Sequence, residues 1–178
     1  MLMLEDMFFT RQGAVIPFNP DASGQTRGHR VFDHTADIGL EAWGATLEEA
    51  FAEAAHGLQA IIVPHDSVCS ASARMVQVTA ADEAALLVTW LSELLYLFDT
   101  GGWLTAASDI VIQAPSKLAA GSALHADAGT WRLSANCSGE LYDHGRHELG
   151  VGVKAVSYHQ LAVGYGHSGV CARVVLDV

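Results

Sequence analysis

The sequence predicts a single α+β domain, a mainly antiparallel sheet or sheets with two helices packed against them. Three observations carry this. Stretches opening at Thr46 and near Asp82 place apolar residues at helical spacing. Most of the remainder alternates apolar and polar residues in short runs bounded by Gly, Ser and Pro. Helices do not alternate regularly with strands, which disfavours a doubly wound parallel sheet. The 178 residues, 51% apolar and 16% charged, are enough for one domain with a sizeable core.

Residues 1–29 read as a tail. Gly13, Pro17, Pro20, Gly24 and Gly28 break any period, and the run Asp21-Ala-Ser-Gly-Gln-Thr reads as flexible. The tail is either disordered or an extra edge segment, and the folded domain is expected over 30–178. A strand is expected over 38–43. The first helix starts at Thr46, with Glu49 three residues on as a capping box. Its apolar face is Leu47, Ala50, Phe51, Ala54, Ala55 and Leu58, and Glu48, Glu49 and Glu53 sit toward the N-terminal half, where the helix dipole favours them. A strand over 74–79 follows. The second helix takes Asp82 as N-cap, carries a stripe of Leu86, Leu87, Trp90, Leu91, Leu94, Leu95 and Phe98, and ends at Gly101-Gly102. Short strands are expected over 109–114, 124–128 and 131–135, then longer ones over 150–158, 159–165 and 171–178.

Charge narrows the function classes. The formal net charge is −11, and the lysines are Lys117 and Lys154 alone. A backbone polyanion would be repelled, so direct nucleic-acid binding is not expected; a basic protein partner fits better. No apolar run approaches a membrane span, no basic start precedes a secretory core, and a cytoplasmic location is expected. Cys69, Cys137 and Cys171 are odd in number and lack Cys-x-x-Cys spacing, so buried free thiols are expected rather than disulfides or structural zinc.

The chemistry-bearing residues gather in few places. Asp33-His34-Thr35-Ala36-Asp37 puts two carboxylates and a histidine just before the strand at Ile38, read here as a strand-end loop. Asp177 interrupts an apolar run and precedes Val178, which carries the α-carboxylate. Carboxylates repel unless something compensates, and a hard divalent cation prefers oxygen ligands. If the beginning and end of the domain meet, the two segments form one acidic metal site. The alternatives are loop capping by Asp and Thr, and for Asp177 a surface carboxylate or a pair with Arg173. Asp143-His144-Gly145-Arg146-His147 reads as a solvated turn, with Glu140 in the polar turn before it. Lys154 lies inside an alternating strand and shares a face with Val156 and Tyr158; its ammonium meets solvent, a carboxylate or a partner. His34, Asp37, His144, His147 and His159 would make a metal-dependent hydrolase only if they shared one coordination sphere. No nucleophile elbow, phosphate-binding loop, dinucleotide fingerprint or His-Glu-x-x-His pattern occurs.

Several of these segments together resemble the archease family. The run 32–51, from Phe-Asp-His-Thr-Ala-Asp-Ile-Gly-Leu-Glu to Ala-Phe, resembles the family's opening. Trp90-Leu-Ser-Glu-Leu-Leu-Tyr-Leu-Phe98, Gly139-Glu140, Lys154-Ala-Val-Ser-Tyr-His159 and Leu176-Asp-Val178 follow in the family's order. The resemblance covers about residues 30–178. It implies a compact α+β fold and a non-catalytic cofactor role. Such a protein activates an RtcB-type RNA-splicing ligase, which joins RNA ends with GTP and a divalent metal, by promoting guanylylation of the ligase histidine and multiple turnover. It also implies an association with a tRNA cytosine methyltransferase, as a chaperone-like modulator of specificity. Carried over residue by residue, Asp37 and Asp177 hold a divalent metal, calcium by expectation with magnesium or manganese as alternatives, and the Val178 carboxylate is a further ligand. His34 lies in the same motif, as ligand or as support to one. Glu140 and Lys154 match positions tied to activation of the ligase. Ser157 stands where the family has Thr and Val178 where it has Ile, both conservative.

Overall fold

The computed structural model describes residues 7–16, 26–34, 36–64, 67–115 and 129–178. The expected strand over 124–128 and the stretch 21–25 lie outside them. Nine strands and two helices are described: β1 Phe8–Phe9, β2 Val15–Ile16, β3 Gly28–His34, β4 Asp37–Gly44, α1 Leu47–Ile62, β5 Ser72–Ala80, α2 Glu83–Gly101, β6 Trp103–Gln113, β7 Trp131–Leu141, β8 Ala155–Gly166 and β9 Gly169–Asp177. They form a six-stranded sheet in the order β2-β1-β8-β9-β4-β3 and a three-stranded sheet in the order β5-β7-β6. Every described pairing is antiparallel, so the expected α+β architecture is the one found.

Both helices start as their local chemistry dictates. Thr46 accepts the Glu49 N–H at 3.2 Å, while the Glu49 carboxylate reaches back to the Ala45 N–H at 2.8 Å. Asp82 caps α2 by accepting the Ala85 N–H at 2.7 Å, and Gly102 ends it in the left-handed region at φ 66°. Each helix touches both sheets. Leu40, Ala42, Val174 and Leu176 of the large sheet therefore share one core with Phe51, Leu58, Leu86, Trp90, Leu104 and Leu133. The buried Trp90 indole donates to the Phe51 carbonyl at 3.2 Å and ties α2 to α1. α1 also closes the outer edge of β6. Gln59 accepts the Thr105 N–H at 2.8 Å and Glu48 the Ile112 N–H at 3.3 Å, groups that would otherwise template another strand.

α2 corrects one expectation. Its 19 residues are long and apolar enough, at mean hydropathy 1.2, to pass for a membrane span by length and composition. Leu86, Leu87, Trp90 and Leu91 are fully buried among the sheets, however, so the stripe is consumed by the core.

The strand boundaries shift in several places: the strand expected over 109–114 begins at Trp103, and the one expected over 131–135 runs to Leu141. Asp33 and His34 are not in a loop: β3 runs to His34, which pairs directly with Asp37 of β4. The run 150–158 is not one strand. Residues 150–154 are a crossing segment pinned to the end of α1 by Gly150 N–H to Ile62 O (2.8 Å) and Val151 N–H to Ile61 O (2.9 Å). Lys154 therefore precedes β8 rather than lying within it, and Lys154 and Tyr158 are exposed while Val156 is buried. The runs 155–158 and 159–165 join into one strand with an irregularity between Ser157 and Ala162. At the N-terminus, β1 and β2 form a short hairpin on the β8 edge, burying Phe8 and Ile16 against Trp43 and Cys171.

The outer face of the large sheet holds an ionic ladder. Arg30, Glu41 and Arg173 lie in register on β3, β4 and β9. Glu41 is 2% exposed, and it receives Arg30 Nε at 2.6 Å and Arg173 Nε at 2.7 Å. One row along, the Phe32 ring lies so close over Gly39 that a Cβ there would overlap it. We expect Glu41→Ala to cost about 3 kcal/mol in urea unfolding, because it strands two guanidinium groups that share one carboxylate. Arg30→Ala, whose side chain is 40% exposed, should cost about 1 kcal/mol or less. Equal losses for the two would show that Glu41 does not hold the register.

Candidate metal and partner site

The ladder fixes where Asp37 and Asp177 point. Along a strand, every second side chain shares a face, so Asp37 lies on the face of Gly39 and Glu41, and Asp177 on that of Val175 and Arg173. Glu41 and Arg173 are opposite each other and ion-paired, so these two faces are one. The pairing reaches Ile38 opposite Leu176. One further step sets Asp37 against Asp177 on neighbouring strands, where facing Cβ atoms stand about 5 Å apart. Both residues are half-buried. Two like charges directly opposite each other oppose strand pairing, so the arrangement is tolerated because the rest of the ladder is strong. Arg173, the alternative partner for Asp177, is committed to Glu41.

Around this pair the chain converges. His34 is registered with Asp37; its side chain lies outside those described. On the other flank Ala155 is registered with Asp177, the Lys154 N–H donates to the Asp177 carbonyl at 2.8 Å, and the Lys154 ammonium donates to the main-chain oxygen of Val178 at 2.8 Å. Asp37 of β4, Asp177 of β9, Val178 just after it and Lys154 just before β8 thus occupy one end of the sheet. Among the described residues no three His, Cys, Asp or Glu side chains cluster as a ready-made metal site. The donors at hand are two side-chain carboxylates and the main-chain oxygen of Val178, all oxygen, which is the set a hard divalent cation takes.

Glu140 belongs to a different assembly. It lies in β7, not in a polar turn, and is 8% exposed. Its carboxylate accepts the Cys69 N–H at 2.6 Å, is ion-paired with Arg146, and stands 3.3 Å from His147 Nε2. The segment 143–146 is an exposed turn, as the sequence suggests, but His147 at its end is buried; its Nδ1 accepts the Asp143 N–H at 2.9 Å. Cys69 is exposed, whereas Cys137 and Cys171 are buried, so the expectation of buried thiols fails at Cys69. The five groups required for a hydrolase are not gathered. His147 is engaged with Glu140 and Asp143, His144 packs edge-on against Tyr142, and His159 sits on β8.

Glu140 also shows what reading the sequence missed: a buried ion network that organises the 142–154 connection, the segment whose end delivers Lys154. The same holds for Glu53 on α1, 7% exposed, with His29 Nδ1 at 3.0 Å and Arg27 Nε at 3.3 Å. The only signal in the sequence was a glutamate on the apolar side of a helix.

The comparisons with known proteins agree with this architecture. A model of the Archease protein family matches residues 29–178. The chain belongs to the archease family. Protein archease of Methanosarcina mazei is 34% identical over 157 residues, covering 86% of this chain and 98% of that one. Protein archease of Thermococcus gammatolerans is 36% identical over 132 residues, covering 74% and 84%. The solution structure of Methanobacterium thermoautotrophicum protein 1598 superposes with a TM-score of 0.67 at 32% identity, covering 85% of this chain and 99% of that one. The hairpin β1–β2 precedes the matched region.

The Glu140 network carries a pH signature. The Arg146 hydrogen bond, the Cys69 N–H and His147 together bring its carboxyl down from 4.5 to about 2. Burial pushes Glu53 up, but the hydrogen bonds of His29 and His56 prevail and bring it to about 2 as well. A lowered carboxyl adds stability that is fully present above the unfolded value and is lost as pH falls through the folded one. Glu140→Gln should therefore lower the urea midpoint at neutral pH and flatten the loss of stability between pH 4.5 and about 2. Superimposable pH profiles would rule out a charged Glu140 as the organiser of the connection.

Proposed function

We propose that this archease-family chain is a non-catalytic, cytoplasmic activator of an RtcB-type RNA-splicing ligase. In this reading Asp37, Asp177 and Val178 hold a divalent cation, calcium first and magnesium or manganese otherwise, and Lys154 and Glu140 serve activation. The observation that supports it best is the strand register, Ile38 opposite Leu176, which puts Asp37 and Asp177 on one face of adjacent strands. Charge balance adds to it: two aspartate carboxylates beside one lysine ammonium leave a net negative charge, which a divalent ion offsets. When bound, such an ion stabilises charge on transferring phosphoryl groups.

The chain's own residues do the rest. Asp37 and Asp177 present oxygens from adjacent strands without reorganising. Lys154, tied to Val178 and to the Asp177 carbonyl, orients the chain end and offers a cation toward phosphate. Glu140 acts at a distance, by fixing the connection that ends at Lys154. Nothing in this division of labour needs a nucleophile on the activator, so the chemistry belongs to the ligase. The net charge of −11 suits approach to a basic ligase surface rather than to RNA.

Asp37→Ala and Asp177→Ala should each reduce multiple-turnover ligation by about tenfold or more while the first, pre-guanylylated turnover persists. Thermal unfolding should show both variants folded, since each removes a repelling carboxylate. Adding residues beyond Val178 should lower activation as well, by moving the carboxylate away. Undiminished turnover in both aspartate variants would sink the reading. Co-purification from cells with a methyltransferase in place of a ligase would favour the chaperone-like role.

A further inference from the structure

β5 is a long, regular strand with one bare edge. It is an outer strand of the small sheet and pairs with β7 from Ser72 to Ala80 without a register shift. Which groups it turns away from β7 follows from β6. The Ile112 N–H reaches Glu48 of α1, so Ile110 and Ile112 point away from β7, and Asp109 and Val111 point toward it. Their partners Asn136 and Ser134 therefore bond to β6, which leaves Leu133, Ala135 and Cys137 to bond to β5. On β5 the residues opposite these three are Val78, Val76 and Arg74. The main-chain N–H and C=O groups of Ala73, Met75, Gln77 and Thr79 thus face outward, and among the described residues no hydrogen bond engages them.

The other described edges are blunted, as exposed strand edges usually are. Side chains of α1 cap β6, β2 has two residues, β8 is distorted between Ser157 and Ala162, and β3 carries Arg30 and Asp33. β5 has none of these devices: Ser-Ala-Arg-Met-Val-Gln-Val-Thr-Ala holds no Pro, Gly, Lys or carboxylate. Its one charge, Arg74, is folded over the Trp103 ring at 4.9 Å. Val76 and Val78 are buried on the inner face, whereas Met75 is 64% exposed. A chain of net charge −11 repels its own copies at most approaches, and this strand is free of that repulsion. The strand is also complementary to itself. Antiparallel pairing about Val76 sets Met75 opposite Gln77 and Ala73 opposite Thr79 of a second copy. Every hydrogen-bonded position is then filled by an outward-facing residue, with about eight main-chain bonds in all. Arg74 meets Val78 of the second copy, so the two guanidinium groups are not opposed.

We infer that β5 is a self-association edge, on which two copies of this chain join antiparallel about Val76 and merge their small sheets into one of six strands. The contact is one strand wide, at the low end of specific interfaces, so the dimer forms and dissolves in the micromolar range. Sedimentation of the full chain from about 1 to about 200 μM should show the weight-average mass rise from monomer toward dimer. Met75→Pro removes an outward N–H that β7 does not use; it should leave the thermal unfolding transition cooperative and weaken self-association by about tenfold or more. Met75→Glu combined with Gln77→Glu sets like charges opposite each other twice and should weaken it by about tenfold. Met75→Lys combined with Gln77→Glu sets opposite charges in the same places and should restore it to within about threefold of the unaltered chain. These two pairs keep the test decisive if Met75→Pro fails to fold. A chain that stays monomeric throughout overturns the inference. So does a dimer indifferent to Met75→Pro, or an equal loss in the two charge pairs, which puts the contact elsewhere or in another register. A monomeric chain that binds an extended peptide of another protein, and loses it in Met75→Pro, overturns it in favour of strand addition by a different partner.

Discussion

The antiparallel pairing of β4 with β9 is the constraint on which everything else depends. Both strands lie inside the six-stranded sheet, flanked by β8 and β3, and are buried on both faces for most of their length. On the inner face Leu40, Ala42, Val174 and Leu176 enter the core. On the outer face Glu41 locks Arg30 and Arg173 into adjacent strands, and Gly39 makes room for the Phe32 ring. Because strand side chains alternate with period two, a slip of one residue would send Glu41 into the core and Leu40 to the outside. The ladder excludes that slip, and the same register sets Asp37 opposite Asp177. The unfavourable contact at the strand ends is thus maintained by favourable contacts two rows away. Local rules are broken where function is expected and compensated elsewhere.

A second constraint reaches the same place from the other sheet. β7 must hand the chain to β8 across the molecule, and the 142–154 connection has little regular structure to hold it. Glu140, Arg146 and His147 fix its beginning, and α1 fixes its middle through two main-chain hydrogen bonds. Lys154 arrives at its end with its ammonium on Val178. The large sheet supplies the carboxylates and the small sheet, through this connection, supplies the cation beside them. Glu140 and Lys154 lie fourteen positions apart and belong to one device without sharing a site.

What could be read from the sequence follows from the range of the physics involved. Helix caps are short-range, so Thr46, Glu49, Asp82 and Gly102 announced both helices and the structure keeps them. The α+β class followed from the same periodicities. β3 escaped notice because its residues, Gly-His-Arg-Val-Phe-Asp-His, show no alternation: its edge position leaves Val31 half exposed while Arg30 and Phe32 cover Glu41 and Gly39. The partition into two sheets is a long-range outcome with no local mark. The run 150–158 alternates well enough to pass for a strand, but Gly150 and Val151 spend their N–H groups on the end of α1. Glu41 and Glu53 defeated the pattern because a buried carboxylate is predictable only once its cationic partners, 11 to 132 residues away, are known. The proximity of Asp37 and Asp177 was legible as a suspicion, since nothing in spacing alone brings residue 177 to residue 37; the ladder does.

The outer face of the large sheet is graded, and the grading argues for which end is open to a partner. At one end Trp43 and Cys171 are covered by Phe8 and Ile16 of the N-terminal hairpin, which lies outside the family match. Gly164 gives these side chains room, since a Cβ there would overlap Ile16. Arg11 from the same hairpin pairs with the buried Glu83 at 2.8 Å and stacks on Tyr165, which closes the hairpin down on α2. The middle row is the self-satisfied Arg–Glu–Arg ladder. Six positions along β4 from Trp43, about 20 Å away, stand Asp37 and Asp177, with Lys154 beside them. The hairpin therefore cannot act as a lid on the acidic end, because it is fully committed at the other. Its contribution is to close the apolar end of the sheet, which leaves the charged end uncovered by this hairpin.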